Sequence, residues 1–249
     1  MTTDSVVVDV SQDWAVACDL QERFMEMPCA RTPALTYSAR CRQMRALGGD
    51  SFDFLPLPGR RVALAVADAS GKGLPAALIS ANVQSSLRTA SLFAPGDAAA
   101  VVTAVNRQLH SSSPADRFAT LFYGIFDEDI RTLEYVNAGH NPPMILRAKG
   151  SIAWLEAGAP PVGMFADTAY QARTVQLHPA DLIVAYTDGI VEAANTSGDE
   201  WGAGGLLTAI AACRTRHPDR IVQTAFDALD AFSNGGQTDD ATMLAAVVN

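Results

Sequence analysis

Gly48-Gly49-Asp50-Ser51-Phe52-Asp53-Phe54-Leu55-Pro56-Leu57-Pro58-Gly59-Arg60-Arg61-Val62-Ala63-Leu64-Ala65-Val66-Ala67-Asp68-Ala69 is the stretch on which the fold turns. Residues 51–57 and 61–68 read as two strands, and Pro58-Gly59-Arg60 between them supplies the dihedrals of a tight turn. Paired residues of an antiparallel hairpin have a constant sum of residue numbers, so a turn centred near residue 59 sets Asp50 opposite Asp68. Their Cβ atoms then lie roughly 4.5–5.5 Å apart, where like charges directly opposite are destabilising. Cations between the two carboxylates would relieve that repulsion.

A second pair of acids follows the same logic. Residues 181–187 form a mostly apolar run that delivers Asp188 at its C-terminal end. Residues 241–248 form another, with Asp239 and Asp240 immediately before it. Both runs are short and apolar, as buried strands are. Taken alone, an Asp-Gly pair such as Asp188-Gly189 is usually a turn. Four aspartates, each at the edge of a strand, point instead to hard divalent ions held by oxygen ligands, a common device for activating water against a phosphoester.

The whole chain has ordinary globular composition. Its 249 residues are 49% apolar and 18% charged, enough for a sizeable core. A net charge of −9 argues against a nucleic-acid or anionic-membrane surface, which would need a basic face. The four cysteines (Cys18, Cys29, Cys41, Cys213) show no Cys-x-x-Cys spacing, and the N-terminus lacks a basic segment followed by an apolar stretch. A reduced, cytoplasmic protein is the expectation. No apolar run approaches the roughly 18 residues of a membrane span. Zinc does not fit, because His110, His140, His178 and His217 are scattered and make no ligand pattern with the cysteines.

Helices are expected over 12–28, 74–93, 97–111, 203–213 and 218–232. Ala17, Leu20, Phe24 and Met27 form one apolar stripe on the first, to pack on the domain or on a second copy through a short coiled coil. Gly73 and Pro75 start the helix at 74, and Asp97 starts the next. Further strands are expected at 34–42, 118–127, 131–138, 143–147, 152–155 and 170–177. Segregated helices and mostly antiparallel strands describe an α+β fold with helices outside packed sheets. The chain divides into an N-terminal helical segment, 1–30, and a single catalytic domain, 31–249. Gly71-Lys72-Gly73 does not meet the Walker spacing, since Val66 stands where glycine is required and Gly73 where Ser or Thr is required.

Gly48-Gly49-Asp50-Ser51-Phe52-Asp53, Asp68-Ala69-Ser70-Gly71-Lys72-Gly73-Leu74-Pro75-Ala76-Ala77, Asn137-Ala138-Gly139-His140-Asn141-Pro142-Pro143, Tyr186-Thr187-Asp188-Gly189 and Thr238-Asp239-Asp240-Ala241-Thr242 occur in one order. In that order the chain resembles the SpoIIE-type, RsbU-like serine phosphatases of the metal-dependent PPM superfamily, related to protein phosphatase 2C. The resemblance implies two central antiparallel sheets flanked by helices, with two Mg²⁺ or Mn²⁺ ions at one end. It implies that Asp68 bridges the ions, that the Ala69 carbonyl is a ligand, and that Asp188 and Asp239 are the remaining direct carboxylates. Asp50 resembles the Gly-Gly-Asp carboxylate, which acts directly or through water. Asp53 suits the hairpin as well as a supporting role at the metals, and His140 reads as part of a turn. Ala69 departs from a common valine, and Pro179-Ala180-Asp181 lacks a glycine often found before that aspartate.

The implied reaction is attack on phosphoserine or phosphothreonine by a water that the two ions activate, with no phosphoenzyme. The absence of a Cys-x5-Arg loop agrees with that. The implied substrate is a phosphorylated anti-anti-sigma (STAS) protein in a sigma-factor partner switch. Two alternatives remain at this stage: a phosphatase-like module that binds without turnover, and a two-metal hydrolase of small phosphoesters.

Overall fold

The computed structural model describes residues 10–25 and 29–249. In chain order it contains α1 (Val10–Met25), β1 (Ala30–Arg31), β2 (Leu35–Arg42), β3 (Asp50–Leu57), β4 (Arg61–Ala69), α2 (Leu74–Phe93) and α3 (Ala98–Ser112). There follow β5 (Ala119–Asp127), β6 (Thr132–Ala138), β7 (Met144–Leu146), β8 (Ile152–Trp154), β9 (Arg173–Gln176) and β10 (Leu182–Tyr186). The chain continues through α4 (Asp188–Val191), α5 (Gly202–Ala212), α6 (Pro218–Ser233) and β11 (Ala241–Val248). These strands form a six-stranded sheet, β1-β2-β11-β10-β7-β8, and a five-stranded sheet, β3-β4-β5-β6-β9. Every pairing between them is antiparallel. The expected α+β sandwich is the fold observed.

Alternation along the strands builds three apolar layers, because successive side chains point to opposite faces of a sheet. Phe52 and Phe54 of β3, Val62, Leu64 and Val66 of β4, and Phe122 and Phe126 of β5 face Ile183, Leu244 and Ala246 across the space between the sheets. The opposite face of β4 is Ala63, Ala65, Ala67 and Ala69, and on these small side chains sit α2 and α3 through Val83, Leu87, Val101 and Val105. Val184, Met243 and Ala245 meet α5 and α6 through Leu206, Ile221 and Phe226 on the outside of the larger sheet.

The helix caps follow local chemistry. Gly73 precedes α2 at φ 70°, and a proline stands in that helix's first turn. Asp97 caps α3 by accepting the Ala100 N–H at 2.8 Å. The strand expected over 170–177 is confined to Arg173–Gln176. Tyr170 is instead buried, and its hydroxyl donates to Asn106 Oδ1 at 3.2 Å. Two short elements, β1 and α4, were not expected from the sequence. The expected first helix ran to 28, and its residues 26–28, including Met27, lie outside the described residues. Helix α1 lies against its own chain: Gln21 and Gly48 exchange two hydrogen bonds, at 2.7 and 3.1 Å, and Gln84 donates to the Phe24 carbonyl at 3.1 Å. Among the described residues no helix is long and apolar enough to cross a membrane, and all four cysteines are free.

Candidate metal centre

At one end of the sandwich the inward-facing rows turn from apolar to polar. Asp50 continues the row of Phe52 and Phe54, Asp68 that of Leu64 and Val66, and Thr242 that of Leu244 and Ala246. The β3–β4 register pairs Asp50 directly with Asp68, as the turn arithmetic requires. Asp50 is 1% exposed, and its Oδ2 accepts from Thr187 Oγ1 and Thr242 Oγ1, each at 2.7 Å. The Thr242 N–H in turn donates to Thr187 Oγ1 at 2.9 Å. A carboxylate of one sheet is thus fixed by two hydroxyls of the other.

Mutual repulsion marks the remaining acids as neighbours. Burial, then the neighbouring Asp68, pushes the Asp50 carboxyl well above its ordinary range, although both threonines oppose the shift. Burial and the charges of Asp188, Asp239 and Asp240 push Asp68 up to about 7, with Lys72 opposing. Asp188, the first residue of α4 rather than the last of a strand, is raised by burial and by Asp239. The Ala69 carbonyl lies against Gly49, where an added Cβ would stand 2.7 Å from the oxygen. Only glycine leaves that oxygen uncrowded.

Asp239 is held differently. Its Oδ2 accepts from Lys72 Nζ at 2.7 Å. Next to it, Asp240 is buried and accepts from the Met44 N–H and the Gly49 N–H, both at 2.7 Å, so it clamps the loop that leads to Asp50. Among the described residues, no three carboxylate, imidazole or thiol groups close into a ready-made metal cage. The acids face one another as electrostatic neighbours. Their donor set is anionic oxygen plus a backbone carbonyl, which suits Mg²⁺ or Mn²⁺ and not a thiolate- or imidazole-seeking metal.

Two motif residues lie beside the cluster. Asp53 is 1% exposed and takes Arg88 Nε at 2.6 Å and Arg88 Nη2 at 3.3 Å, which anchors α2 to β3. His140 is buried, its Nδ1 2.8 Å from Thr120 Oγ1 and its backbone N–H on Asn137 Oδ1 at 2.8 Å. Because β5 pairs Thr120 with Asp68, that imidazole braces the strand position opposite the central aspartate. Sequence reasoning did not single out Thr187 and Thr242. Thr242 lies in β11 and Thr187 directly follows β10, each two residues from an inward-facing apolar neighbour, Leu244 and Ala185, and that parity is the signal that would have found them.

The sequence profile of the family described as Stage II sporulation protein E (SpoIIE) matches residues 58–249, which include Asp68, Asp188 and Asp239. The chain belongs to the SpoIIE family. The Gly-Gly-Asp turn carrying Asp50 lies outside the matched span, and the register with Asp68 is what joins it to the rest. Among curated relatives, the phosphoserine phosphatase RsbU of Bacillus subtilis is 26% identical over 199 residues, covering 79% of this chain and 58% of RsbU. The chain spans 24% to 58% of the length of four curated relatives that it matches. The solved RsbU and RsbW domains of Rv1364c from Mycobacterium tuberculosis share 29% identity at a TM-score of 0.75, over 87% of this chain and 60% of that one. The SiaA-PP2C domain of Pseudomonas aeruginosa shares the fold at a TM-score of 0.82, with 17% identity, over 96% of this chain and 97% of that one. This SpoIIE-family chain therefore carries the PP2C-type fold.

Proposed function

We propose that this SpoIIE-family chain is a cytoplasmic, metal-dependent protein phosphatase that hydrolyses phosphoserine and phosphothreonine, with a phosphorylated anti-anti-sigma (STAS) protein as its substrate. The observation that carries the reading is geometric: the register sets Asp50 directly opposite Asp68 at one end of the sandwich, with Asp188, Asp239 and Asp240 close enough for their charges to act on Asp68. Acids gathered in this way are unfavourable together until cations neutralise them. In this reading Asp68, Asp188, Asp239 and the Ala69 carbonyl would hold two Mg²⁺ or Mn²⁺ ions, with Asp50 contributing directly or through water. When bound, such ions lower the pKa of water and neutralise charge on a phosphoryl group.

The chain's own residues supply rigidity and shape. Thr187 and Thr242 fix the Asp50 carboxylate, Asp240 fixes the loop before it, and Gly49 keeps the Ala69 oxygen open. Similarity to the phosphoserine phosphatase RsbU supports the reaction class. The STAS substrate rests on the resemblance to RsbU-like phosphatases. In the same reading residues 31–249 are the catalytic domain and 1–30 a helical segment. That Trp14, Val16, Leu20 and Phe24 of α1 remain 40–52% exposed supports a homodimer through this helix.

The test is phosphate release from a phosphoserine-bearing STAS protein, with a nucleotide diester as the competing substrate. Release should require Mn²⁺ or Mg²⁺, disappear with chelation, vanish in Asp68→Asn and be absent with the diester. Undiminished release from thoroughly chelated protein would overturn the metal reading, and turnover of the diester alone would overturn the substrate class.

A further inference from the structure

Lysine is rare in this chain: of 18 basic residues, only Lys72 and Lys149 are lysines. Lys72 lies between Gly71 at φ 97° and Gly73 at φ 70°, left-handed conformations that glycine adopts without strain. These turns carry its side chain from the end of β4 to the residues that precede β11 in the other sheet. There Nζ donates to Asp239 Oδ2 at 2.7 Å and to the Thr238 carbonyl at 3.1 Å. The same ammonium works against the raised proton affinity of Asp68 and Asp188. One compact positive charge therefore acts on three acids of the cluster. An ammonium is a point charge on a flexible stem, the nearest side-chain equivalent of a small cation.

We propose that Lys72 is a tethered counter-cation that competes with a divalent ion for Asp239, and so sets the concentration at which the metal centre fills. The inference rests on reading the aspartate cluster as that centre. An ion that takes Asp239 Oδ2 must displace the ammonium from it, and an ion arriving with Lys72 still in place meets its repulsion. The lysine and aspartate side chains are 44% and 40% exposed, so solvent screens the pair and the competition is modest. Lys72 is thus a brake on loading rather than a block.

Isothermal titration of Mn²⁺ into chelator-stripped protein tests this, with wild type, Lys72→Gln, Lys72→Arg and Asp68→Asn compared and far-UV circular dichroism confirming that each is folded. Lys72→Gln should bind Mn²⁺ about two- to fivefold more tightly than wild type, the range expected when a screened ion pair no longer has to be broken. Lys72→Arg, which keeps the charge, should stay close to wild type. The rise in melting temperature on adding a fixed Mn²⁺ concentration should be larger for Lys72→Gln. Equal or weaker binding by Lys72→Gln overturns the proposal, as does tightening of the same size in Lys72→Arg. If wild type takes up no Mn²⁺, the metal centre itself falls and the brake with it. If wild type binds and Asp68→Asn does not, yet Lys72→Gln gains nothing, only the brake falls.

Discussion

Asp240 accepts the backbone N–H of Gly49 at 2.7 Å, and through that bond the residue before β11 in one sheet holds the residue before Asp50 in the other. The second oxygen takes the Met44 N–H at 2.7 Å, so both ends of the loop before β3 are tied to one carboxylate. Asp240→Ala should leave two N–H groups without an acceptor and cost about 1–3 kcal/mol for each that stays buried. It should also lower Mn²⁺-dependent turnover, because Asp50 follows directly after Gly49. Urea unfolding and a phosphatase assay check both effects. A variant as stable and active as wild type would disprove the clamp.

Gly189→Ala sets helix propensity against packing. Alanine in a helix is ordinarily favoured over glycine by about 1 kcal/mol. Here an added Cβ falls onto the carbonyl oxygen of Asp240, a backbone atom that cannot swing aside. The variant should be less stable by thermal melting and should lose activity, since Asp188 precedes it at the start of α4. A higher melting temperature would show that propensity wins and that the fit between α4 and β11 is loose.

A third expectation concerns acid. Burial alone would raise the Asp181 carboxyl, but Arg147 at 2.7 Å and the N–H groups of His178 and Ala148 hold it below its ordinary value. A carboxyl lowered by folding stabilises fully above its unfolded pKa of about 3.9, and that contribution is lost as pH falls through the lower folded value. Arg147→Met should cost about 3 kcal/mol at neutral pH, because Asp181 is 1% exposed and loses its counter-charge. The loss of stability below pH 4 should then be shallower than in wild type. Urea midpoints across pH measure it, and an unchanged acid limb would count against the pair.

His140 gives the opposite kind of pH signature. Burial lowers its imidazole to about 4, the Tyr186 backbone offsets only part of that, and Nε2 is buried with no well-formed partner. The unfolded chain takes up a proton near pH 6.5, whereas the folded chain resists down to about 4. Between those values stability therefore falls as pH falls. In Mn²⁺-loaded protein, His140→Gln should lower stability at pH 7 yet flatten the slope between pH 6.5 and 4. A slope identical to wild type would show that this histidine is not the group being titrated.

Local pattern carried much of the fold. The turn at Pro58-Gly59-Arg60 fixed the β3–β4 register, and Gly73 with Pro75 placed the start of α2, because both depend on residues adjacent in the chain. The same adjacency places Asp188 and Asp239 at the end of the sandwich that holds Asp68. What escaped depends on contacts between distant segments. The Asp53–Arg88 pair and the clamp made by Asp240 join residues that alternation and spacing cannot relate, and alternation turns Thr187 and Thr242 inward without showing that both meet Asp50. Helix α4 is four residues long and has too little pattern to be seen, which is why Asp188 read as the end of a strand.

Strand β11 lies between β2 and β10, and its partners on β2 are residues 35–42. On a ribosome, a nascent chain released only as far as α6 therefore displays β2 and β10 with bare edges. It also lacks Asp239, Asp240 and Thr242, and with them part of the aspartate cluster and one of the two hydroxyls on Asp50. Completion of the larger sheet and of the aspartate cluster thus waits for one strand, and bare edges of that kind are templates for pairing with another chain.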